Sequence, residues 1–268
     1  MEWQRRTVVR DGVALEVRDS GGDGPPVLLL HGLAGQAGEW DATARLLGPR
    51  HRVVAVDQRG HGASERRPAD VSRAAYVADV VAVLDALDID RAVLAGQSLG
   101  GHTALLTAAA HPDRAAALVL VDASPGGPHP ESPGVIGGWL DSWPVPFASR
   151  AAAVEFLGGG AVGEGWAGGL EERADGWWPR FDRDVMVAAL AENATRSWWR
   201  EWEAVVCPTL VLLAQDSFVD RDEADEMLVR RPQGTYAACV PGTGHDLHLE
   251  RPDALHAVLA AFLAAVRP

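Results

Sequence analysis

Residues 94–103 read LAGQSLGGHT and set Ser98 in a Gly-x-Ser-x-Gly pentapeptide, between Gly96 and Gly100. An apolar run ends at the first of these glycines and an alanine- and leucine-rich segment follows, which predicts a strand, a tight turn and a helix over 99–111. So sharp a turn strains the backbone at the serine, and a bulky side chain on either side would collide with the strand and the helix. The hydroxyl would then stand clear of the backbone above a sheet, which indicates a nucleophile.

Short apolar runs recur along the chain, and segments of helical character lie between most of them. The runs are residues 27–30, 53–57, 92–96, 117–122, 209–214 and 235–240. Because they lack alternation of polar and apolar residues, they are typical of strands covered on both faces, as in a mainly parallel sheet. Helices are predicted over 72–88, 99–111, 221–230 and 252–266. Strands that alternate with helices predict an α/β fold, and Asp11-Gly12 between two alternating segments predicts a hairpin before it.

The regular alternation breaks between residues 125 and 203, a stretch rich in glycine, proline and tryptophan with no clear strand. We interpret 125–203 as a helical cap over the carboxyl-terminal edge of the sheet, inserted into a core domain made of 1–124 and 204–268. Eight of the ten tryptophans lie in this stretch. They either pack a small helical subdomain together or line an apolar pocket. Our candidates for contact with a substrate are Trp139, Trp143, Trp178 and Trp199.

Charge and cysteine content exclude several classes of protein. The net charge of −13 argues against a nucleic-acid partner and an anionic membrane surface, because both require clustered basic residues. The amino terminus lacks a secretory signal and no apolar stretch could cross a bilayer, so we predict a cytoplasmic protein without a membrane partner. Cys207 and Cys239 lie in apolar surroundings and are predicted to be buried free thiols. No Cys or His cluster has metal-ligand spacing, so neither a metal nor another cofactor is expected, and no pattern indicates an oligomeric state.

A serine hydroxyl is a weak nucleophile, so catalysis at Ser98 needs a general base. The chain has nine histidines, and His245 is our candidate because it follows a Gly-Thr-Gly turn that can carry the imidazole back over the sheet edge. His248, three residues on, is the nearest competitor. His31 is expected to brace its loop, and His102, one turn into the helix after the serine, is expected to pack there.

The base in turn needs a carboxylate that orients the imidazole. Asp216 is our candidate because it ends the run TLVLLAQD, and open parallel sheets hold their functional groups at the carboxyl ends of strands. Asp220 and Asp222 in the following loop could replace it. Asp122, which ends an earlier apolar run, is a further alternative that we interpret instead as a hydrogen-bonding loop or cap residue.

Two backbone N–H groups are predicted to bind the negative charge that develops on a substrate oxygen. The amide of Leu99 follows the serine at a helix amino terminus, where the helix dipole is positive. The second donor should come from the loop HGLAGQAGEW after the 27–30 run, and its candidate is the amide of Leu33. The glycines of this loop leave room for a substrate.

Four motifs follow one another along the chain: LLLHGLAG, VVAVDQRGHGAS, LAGQSLGG and GTGHDLHLERP. Together they resemble the α/β-hydrolase superfamily over nearly the whole chain outside 125–203, and Ser98, Asp216 and His245 follow the chain order of its catalytic groups. The resemblance implies a mostly parallel central sheet of about eight strands, flanked by helices, with a helical cap after the sixth. There are two departures. Ala214 stands near the acid, where the superfamily often has a glycine, and HGLA lacks the extra glycines of the lipase-type loop, which favours a capped hydrolase of small substrates.

The resemblance implies a serine hydrolase that cleaves a small, largely apolar ester, thioester or lactone through an acyl-enzyme, without a cofactor. Epoxide hydrolases and haloalkane dehalogenases resemble the same fold but carry aspartate at the position of Ser98. C–C bond hydrolases, cofactor-free haloperoxidases and hydroxynitrile lyases are similar at the same motifs, so they remain alternatives. A ligand-binding scaffold without turnover is a third possibility, which is disfavoured because a receptor has no need of all three catalytic groups.

Overall fold

The structure, a computed structural model, describes residues 2–266. Its strands are β1 (Gln4–Arg10), β2 (Val13–Asp19), β3 (Pro26–Leu30), β4 (Arg52–Val56), β5 (Ala92–Gln97), β6 (Ala115–Val121), β7 (Leu170–Arg173), β8 (Gly176–Pro179), β9 (Thr209–Ala214) and β10 (Thr235–Val240). Its helices are α1 (Asp41–Leu47), α2 (Arg73–Ala86), α3 (Leu99–Ala110), α4 (Ser132–Asp141), α5 (Arg150–Phe156), α6 (Gly160–Ala167), α7 (Arg183–Ala189), α8 (Ala191–Thr195), α9 (Trp199–Ala204), α10 (Arg221–Arg230), α11 (Leu247–Glu250) and α12 (Pro252–Val266).

One sheet of the described chain holds eight strands in the order β1-β2-β4-β3-β5-β6-β9-β10. β1 and β2 pair antiparallel through a turn in which Asp11 and Gly12 both have positive φ, 50° and 81°, as a hairpin with this dipeptide requires. β2 also runs antiparallel to β4, and the remaining neighbours pair in parallel. The predicted α/β fold with a mostly parallel sheet of about eight strands is therefore confirmed.

The apolar runs are continuous because the central strands bury both of their faces. Successive side chains of a strand point to opposite faces. In β3, Leu28 and Leu30 belong to the cluster that contains Val80 and Leu84 of α2, whereas Leu29 belongs to the cluster packed by α1 and α12. Helices on both faces thus fix the sheet and leave the carboxyl ends of its parallel strands together at one edge.

The segment between β6 and β9 contains α4 to α9 and an antiparallel hairpin of β7 and β8. The sequence interpretation, which saw no strand here, is wrong on this point. Each hairpin strand has only four residues, too few to show a polar–apolar alternation. Trp143, Phe147 and Met186 are buried in a cluster of this segment. The division into a core domain (1–124 and 204–268) and a cap (125–203) stays a prediction.

Two further sequence expectations concern the thiols and the membrane. Cys207 is buried and free, as predicted, but Cys239 is free and exposed. Cys239 lies in β10, the last strand of the sheet, whose outer edge has no neighbouring strand among the described residues, so the prediction of a buried thiol is wrong there. Within residues 2–266, no helix combines the length and the apolar character needed to cross a membrane.

Candidate active site

Ser98 stands in the tight turn between β5 and α3 with a strained backbone, φ 50° and ψ −118°. The flanking glycines are required by space. A Cβ on Gly96 would collide with the backbone of Gly100, and a Cβ on Gly100 would collide with the carbonyl oxygen of Leu30 in β3. The turn therefore presses strand and helix together and lifts the serine above the sheet edge, as expected for a nucleophile elbow.

The carboxylate that contacts His245 is Asp122. Its Oδ2 lies 2.7 Å from Nδ1 of the imidazole. Asp122 directly follows β6 and has a positive φ of 47°. A carboxylate can only accept, so Nδ1 carries the proton, which leaves Nε2 of the neutral ring free to receive one.

Asp122 is almost fully buried, and its oxygens accept further hydrogen bonds from the last residue of β9 and from the loop after it. The donors are the amide of Ala214 (3.0 Å), the hydroxyl of Ser217 (2.5 Å) and the amide of Phe218 (3.1 Å). Burial by itself would raise the pKa of Asp122. The hydrogen bonds from His245, Ser217 and the two amides outweigh it and hold the pKa below its ordinary value. The carboxylate is therefore charged where it meets the imidazole.

Asp216 does not contact His245, and the prediction that it orients the imidazole is wrong. Its side chain is exposed, and its backbone amide donates to the carbonyl oxygen of Thr243. Asp220 and Asp222 are exposed as well. β6 and β9 are parallel neighbours, so aspartates after both strands reach the same edge. The difference is that Asp122 follows its strand directly and is enclosed by the β9 loop, whereas Asp216 lies farther along in the exposed turn.

Ser98, Asp122 and His245 border one cavity of about 490 Å³, together with Leu33 and Leu99. Within residues 2–266, the serine hydroxyl and the imidazole make no direct hydrogen bond, and both face this shared space. Such bonds often form fully only when substrate is bound. The described residues hold no group of three or more His, Cys, Asp or Glu arranged to bind a metal ion.

The two predicted oxyanion donors lie on the same cavity wall. In the described part of the chain, neither the amide of Leu33 nor that of Leu99 donates to a protein acceptor. The loop before Leu33 is fixed by His31, whose ring accepts from the amide of Gln58 (3.0 Å) and lies 2.7 Å from the carbonyl oxygen of Gly32. Burial lowers the pKa of His31 to about 4, so the ring is neutral. The expectation that His31 braces this loop is confirmed.

His248, the competing candidate for the base, is buried away from the cavity. Its ring packs against Trp40 with centroids 4.8 Å apart, and its Nε2 lies 3.5 Å from Oε2 of Glu39. Glu39 itself borders the cavity, and burial raises the pKa of its carboxyl group. Of these two candidates for the base, His245 is the one that borders the cavity with Ser98.

The four tryptophans predicted to contact substrate differ in whether their rings border the cavity. Trp139 borders the cavity. Trp143 is buried behind Trp139, and the centroids of these two rings lie 5.2 Å apart. Trp178 donates to Asp175 and Trp199 packs against an arginine guanidinium, and neither borders the cavity. Trp143 lies behind Trp139, Trp178 lies on strand β8 and Trp199 begins α9, so the predictions for these three residues are wrong.

Three further residues of the cavity wall were not predicted from the sequence to contact a substrate. Trp166 borders the cavity and donates its indole N–H to Asp246 at 3.0 Å. Phe218, 72% exposed, lies at the cavity with its ring centroid 5.5 Å from that of His245. His102 also borders the cavity. Its position one helical turn after the serine was the available hint.

A comparison with known protein families assigns this sequence to one of them. The sequence model of the alpha/beta hydrolase family matches residues 27–258. The chain belongs to the alpha/beta hydrolase family. This hydrolase is 30% identical over 256 residues to esterase YbfF of Escherichia coli (strain K12), with 89% of this chain and 92% of the relative covered.

Two further proteins that are similar to this chain are hydrolases of other named substrates. This hydrolase is 41% identical over 122 residues to 2-hydroxymuconate semialdehyde hydrolase of Pseudomonas sp. (strain CF600), with 43% of this chain and 42% of the relative covered. The crystal structure of E-2-(acetamidomethylene)succinate hydrolase matches with a TM-score of 0.89 and 22% identity, over 98% of this chain and 100% of the other. The latter similarity establishes the shared fold.

Proposed function

We propose that this hydrolase is a serine hydrolase that cleaves a small, largely apolar ester, thioester or lactone. The observation that carries the proposal is the 2.7 Å hydrogen bond between Asp122 and Nδ1 of His245, on the cavity that Ser98 borders. A buried carboxylate, an imidazole with a free Nε2 and a serine in a nucleophile elbow are the parts of a catalytic triad. Asp122 takes the role that the sequence suggested for Asp216.

In the proposed reaction, Oγ of Ser98 attacks the substrate carbonyl carbon while Nε2 of His245 takes the hydroxyl proton. Asp122 stabilises the imidazolium that forms. The imidazolium then gives its proton to the leaving alcohol, thiol or lactone oxygen, which leaves an acyl-enzyme. A water molecule, deprotonated by the same imidazole, cleaves the acyl-enzyme and restores the serine hydroxyl.

The amides of Leu33 and Leu99 are the proposed donors to the oxyanion of each tetrahedral intermediate. Both are free of protein acceptors among residues 2–266. Leu99 begins a helix of 12 residues, so its amide also carries the positive end of the helix dipole. A donor of this kind contributes about 3 kcal/mol to stabilisation of the transition state.

The cavity wall supports a small apolar substrate. Its apolar side includes Val135, Ile136, Trp139, Trp166 and Phe218. Among the described residues, no arginine borders the cavity, whereas four carboxylates do. An uncharged acyl or alcohol group therefore fits this wall better than an anionic one.

The replacement Ser98→Ala tests the proposal. We expect it to abolish turnover of p-nitrophenyl butyrate and labelling by a fluorophosphonate probe. Ser124→Ala is the matched control, because Ser124 also borders the cavity but has no proposed part in the chemistry. Labelling that persists at another residue in the Ser98→Ala protein would refute the assignment.

C–C bond hydrolysis by the same triad is the second candidate. The similarity to 2-hydroxymuconate semialdehyde hydrolase, 41% over 122 residues, favours it. Turnover of p-nitrophenyl esters, lactones and vinylogous diketones should be compared at equal enzyme concentration. Strong cleavage of the diketones with negligible ester turnover would select this candidate over the first.

A further inference from the structure

His102 is a buried imidazole on the cavity wall, and the proposed mechanism gives it no part. It lies in α3, where its backbone amide donates to the carbonyl oxygen of Ser98 at 2.9 Å, so its side chain leaves the helix one turn beyond the nucleophile. It is 5% exposed and borders the cavity. Its ring packs edge-on against Trp198, with centroids 5.0 Å apart, which confirms the expected packing.

Packing does not satisfy the ring nitrogens of His102. Within residues 2–266, neither Nδ1 nor Nε2 has a hydrogen-bond partner, although buried polar atoms in proteins are nearly always paired. Burial lowers the pKa of His102 well below its usual value, and the charges of Arg73 and Arg196 lower it further. The ring is therefore neutral and offers one donor and one acceptor.

Asn193 supplies a second unpaired polar group at the cavity. It lies in α8, and its Oδ1 is buried without a hydrogen-bond partner among the described residues. Asn193 and His102 border the same cavity, together with the apolar side chains of Leu190 and Val219. Polar groups placed singly in an apolar wall are the feature that orients a ligand in a binding pocket.

Charge at the cavity limits what can bind these two residues. Glu39, Asp122, Glu131 and Asp246 border the cavity. In the described part of the chain, no arginine does. These carboxylates disfavour an anionic substrate over most of the wall, whereas at His102 the positive charges of Arg73 and Arg196 also act. A carboxylate still fits poorly at His102, because it could satisfy only the donor of the neutral imidazole and could not donate to its acceptor or to Oδ1 of Asn193. A hydroxyl or carbonyl group carries no charge, and a hydroxyl can both donate and accept.

We propose that His102 and Asn193 form a subsite that binds a neutral hydroxyl or carbonyl group of the substrate, about one helical turn from the carbon that Ser98 attacks. The inference rests on the proposed esterase function and names the substrate class of that site: an ester with a second polar group on its acyl chain or on its alcohol. His102 is a specificity-determining residue in this scheme and transfers no proton.

Two pairs of esters test the subsite. The acyl pair is p-nitrophenyl butyrate and p-nitrophenyl 3-hydroxybutyrate, with the 3-oxobutyrate ester as a repeat of the comparison with a carbonyl group. The alcohol pair is ethyl butyrate and 2-hydroxyethyl butyrate. We expect the wild-type enzyme to favour the polar member of one pair by about tenfold in kcat/KM, as one hydrogen bond provides. The pair that shows the preference identifies the side of the scissile bond.

Variants at His102 then separate recognition from folding. His102→Leu should remove the preference by raising KM for the polar ester more than KM for the plain ester, so the ratio of their kcat/KM values should fall toward one. His102→Gln keeps a donor and an acceptor and should retain part of the preference. Asn193→Leu should reduce the same ratio. If His102→Leu does not fold, the glutamine variant and Asn193→Leu still test whether the preference for the polar ester depends on the subsite.

Several outcomes would overturn the subsite. They are the absence of a preference in both wild-type pairs, equal loss of activity on both members in His102→Leu, and a His102-dependent preference for p-nitrophenyl hydrogen succinate. Calorimetric binding of the same ester pairs to Ser98→Ala measures the preference without turnover. Turnover that survives in Ser98→Ala defeats the proposed function, whereas an unchanged ratio in the His102 variants defeats only the subsite.

Discussion

Asp122 lies at the end of β6, yet it holds His245, which follows β10 at the far edge of the sheet. β9 lies between β6 and β10 in the sheet, and the loop after it donates to the same carboxylate through Ser217 and Phe218. The carboxylate that orients the imidazole therefore contacts three parts of the chain: the end of β6, the loop after β9 and the loop after β10. Four predictions follow from this and related contacts.

Replacement of the carboxylate should disable the imidazole without unfolding the protein. We expect Asp122→Asn to lower kcat for an ester by about 10⁴-fold, because an amide at this position favours the wrong imidazole tautomer. The matched control is Asp216→Asn, which alters an exposed side chain and should change kcat by less than about twofold. Steady-state kinetics on one p-nitrophenyl ester measures both, and a large loss in the Asp216 variant alone would contradict the assignment.

The elbow glycine at position 100 should tolerate no side chain. A Cβ there would collide with the carbonyl oxygen of Leu30, so Gly100→Ala should lower the free energy of unfolding by about 2–4 kcal/mol. Gly134→Ala in α4 is the control, because its Cβ would meet no atom within 4 Å. That change should stabilise the helix by about 0.5–1 kcal/mol. Urea denaturation of both variants gives the comparison, and equal effects would be inconsistent with the collision.

A buried ion pair joins α2 to the loop after β4. Arg59 donates to both carboxylate oxygens of Asp79, at 2.6 Å each. Asp79→Asn leaves a buried guanidinium without its charge partner and should lower the free energy of unfolding by about 3–5 kcal/mol.

The same helix offers a control for this ion pair. Asp85 pairs with Arg114 at 2.8 Å but is 62% exposed, so Asp85→Asn should lower the free energy of unfolding by less than about 1 kcal/mol. Chemical denaturation at neutral pH measures both variants. Similar losses in the two would argue against the buried pair as the source of the difference.

Acid should weaken the attachment of the β7–β8 hairpin. Glu171 accepts two hydrogen bonds from Arg66, 2.9 and 2.5 Å long, and these bonds, partly opposed by burial and supported by Arg173, lower the pKa of Glu171 from 4.5 to about 2. A pKa lowered on folding stabilises the folded state above the unfolded-state pKa. That stabilisation is lost as the pH falls from 4.5 to about 2.

Glu171→Gln should therefore reduce stability at pH 7 by up to about 1 kcal/mol, as for a partly exposed pair. The difference from the wild type should shrink at pH 3. Glu172→Gln, which changes the exposed neighbour in the same strand, is the control and should show no such dependence. Urea denaturation at the two pH values is the measurement, and a difference that grows in acid would have the wrong sign.

The elements that sequence could predict are those whose signal is local. β9, α10 and α12 begin and end where apolar runs and helical spacing place them, and the turn at Ser98 follows from its glycines. The choice between Asp122 and Asp216 was not local. Both follow adjacent parallel strands, and only the backbone direction at each residue and the enclosure by the β9 loop decide which one meets His245.

The substrate-facing side chains were equally beyond local pattern. Trp139 and Trp143 lie four residues apart in or beside α4, yet one borders the cavity and the other is buried behind it. Their exposure depends on how short helices with several glycines pack on one another. Such packing angles arise from contacts between distant residues, which a single sequence does not reveal.

The backbone and the side chain of Phe218 have separate roles. Its main-chain nitrogen helps to hold Asp122, while its ring stands at the entrance of the cavity. Because every residue except proline supplies that nitrogen, a change of the ring would keep this hydrogen bond to Asp122. Entrance shape and proton-transfer machinery can therefore diverge at different rates in descendants of this enzyme.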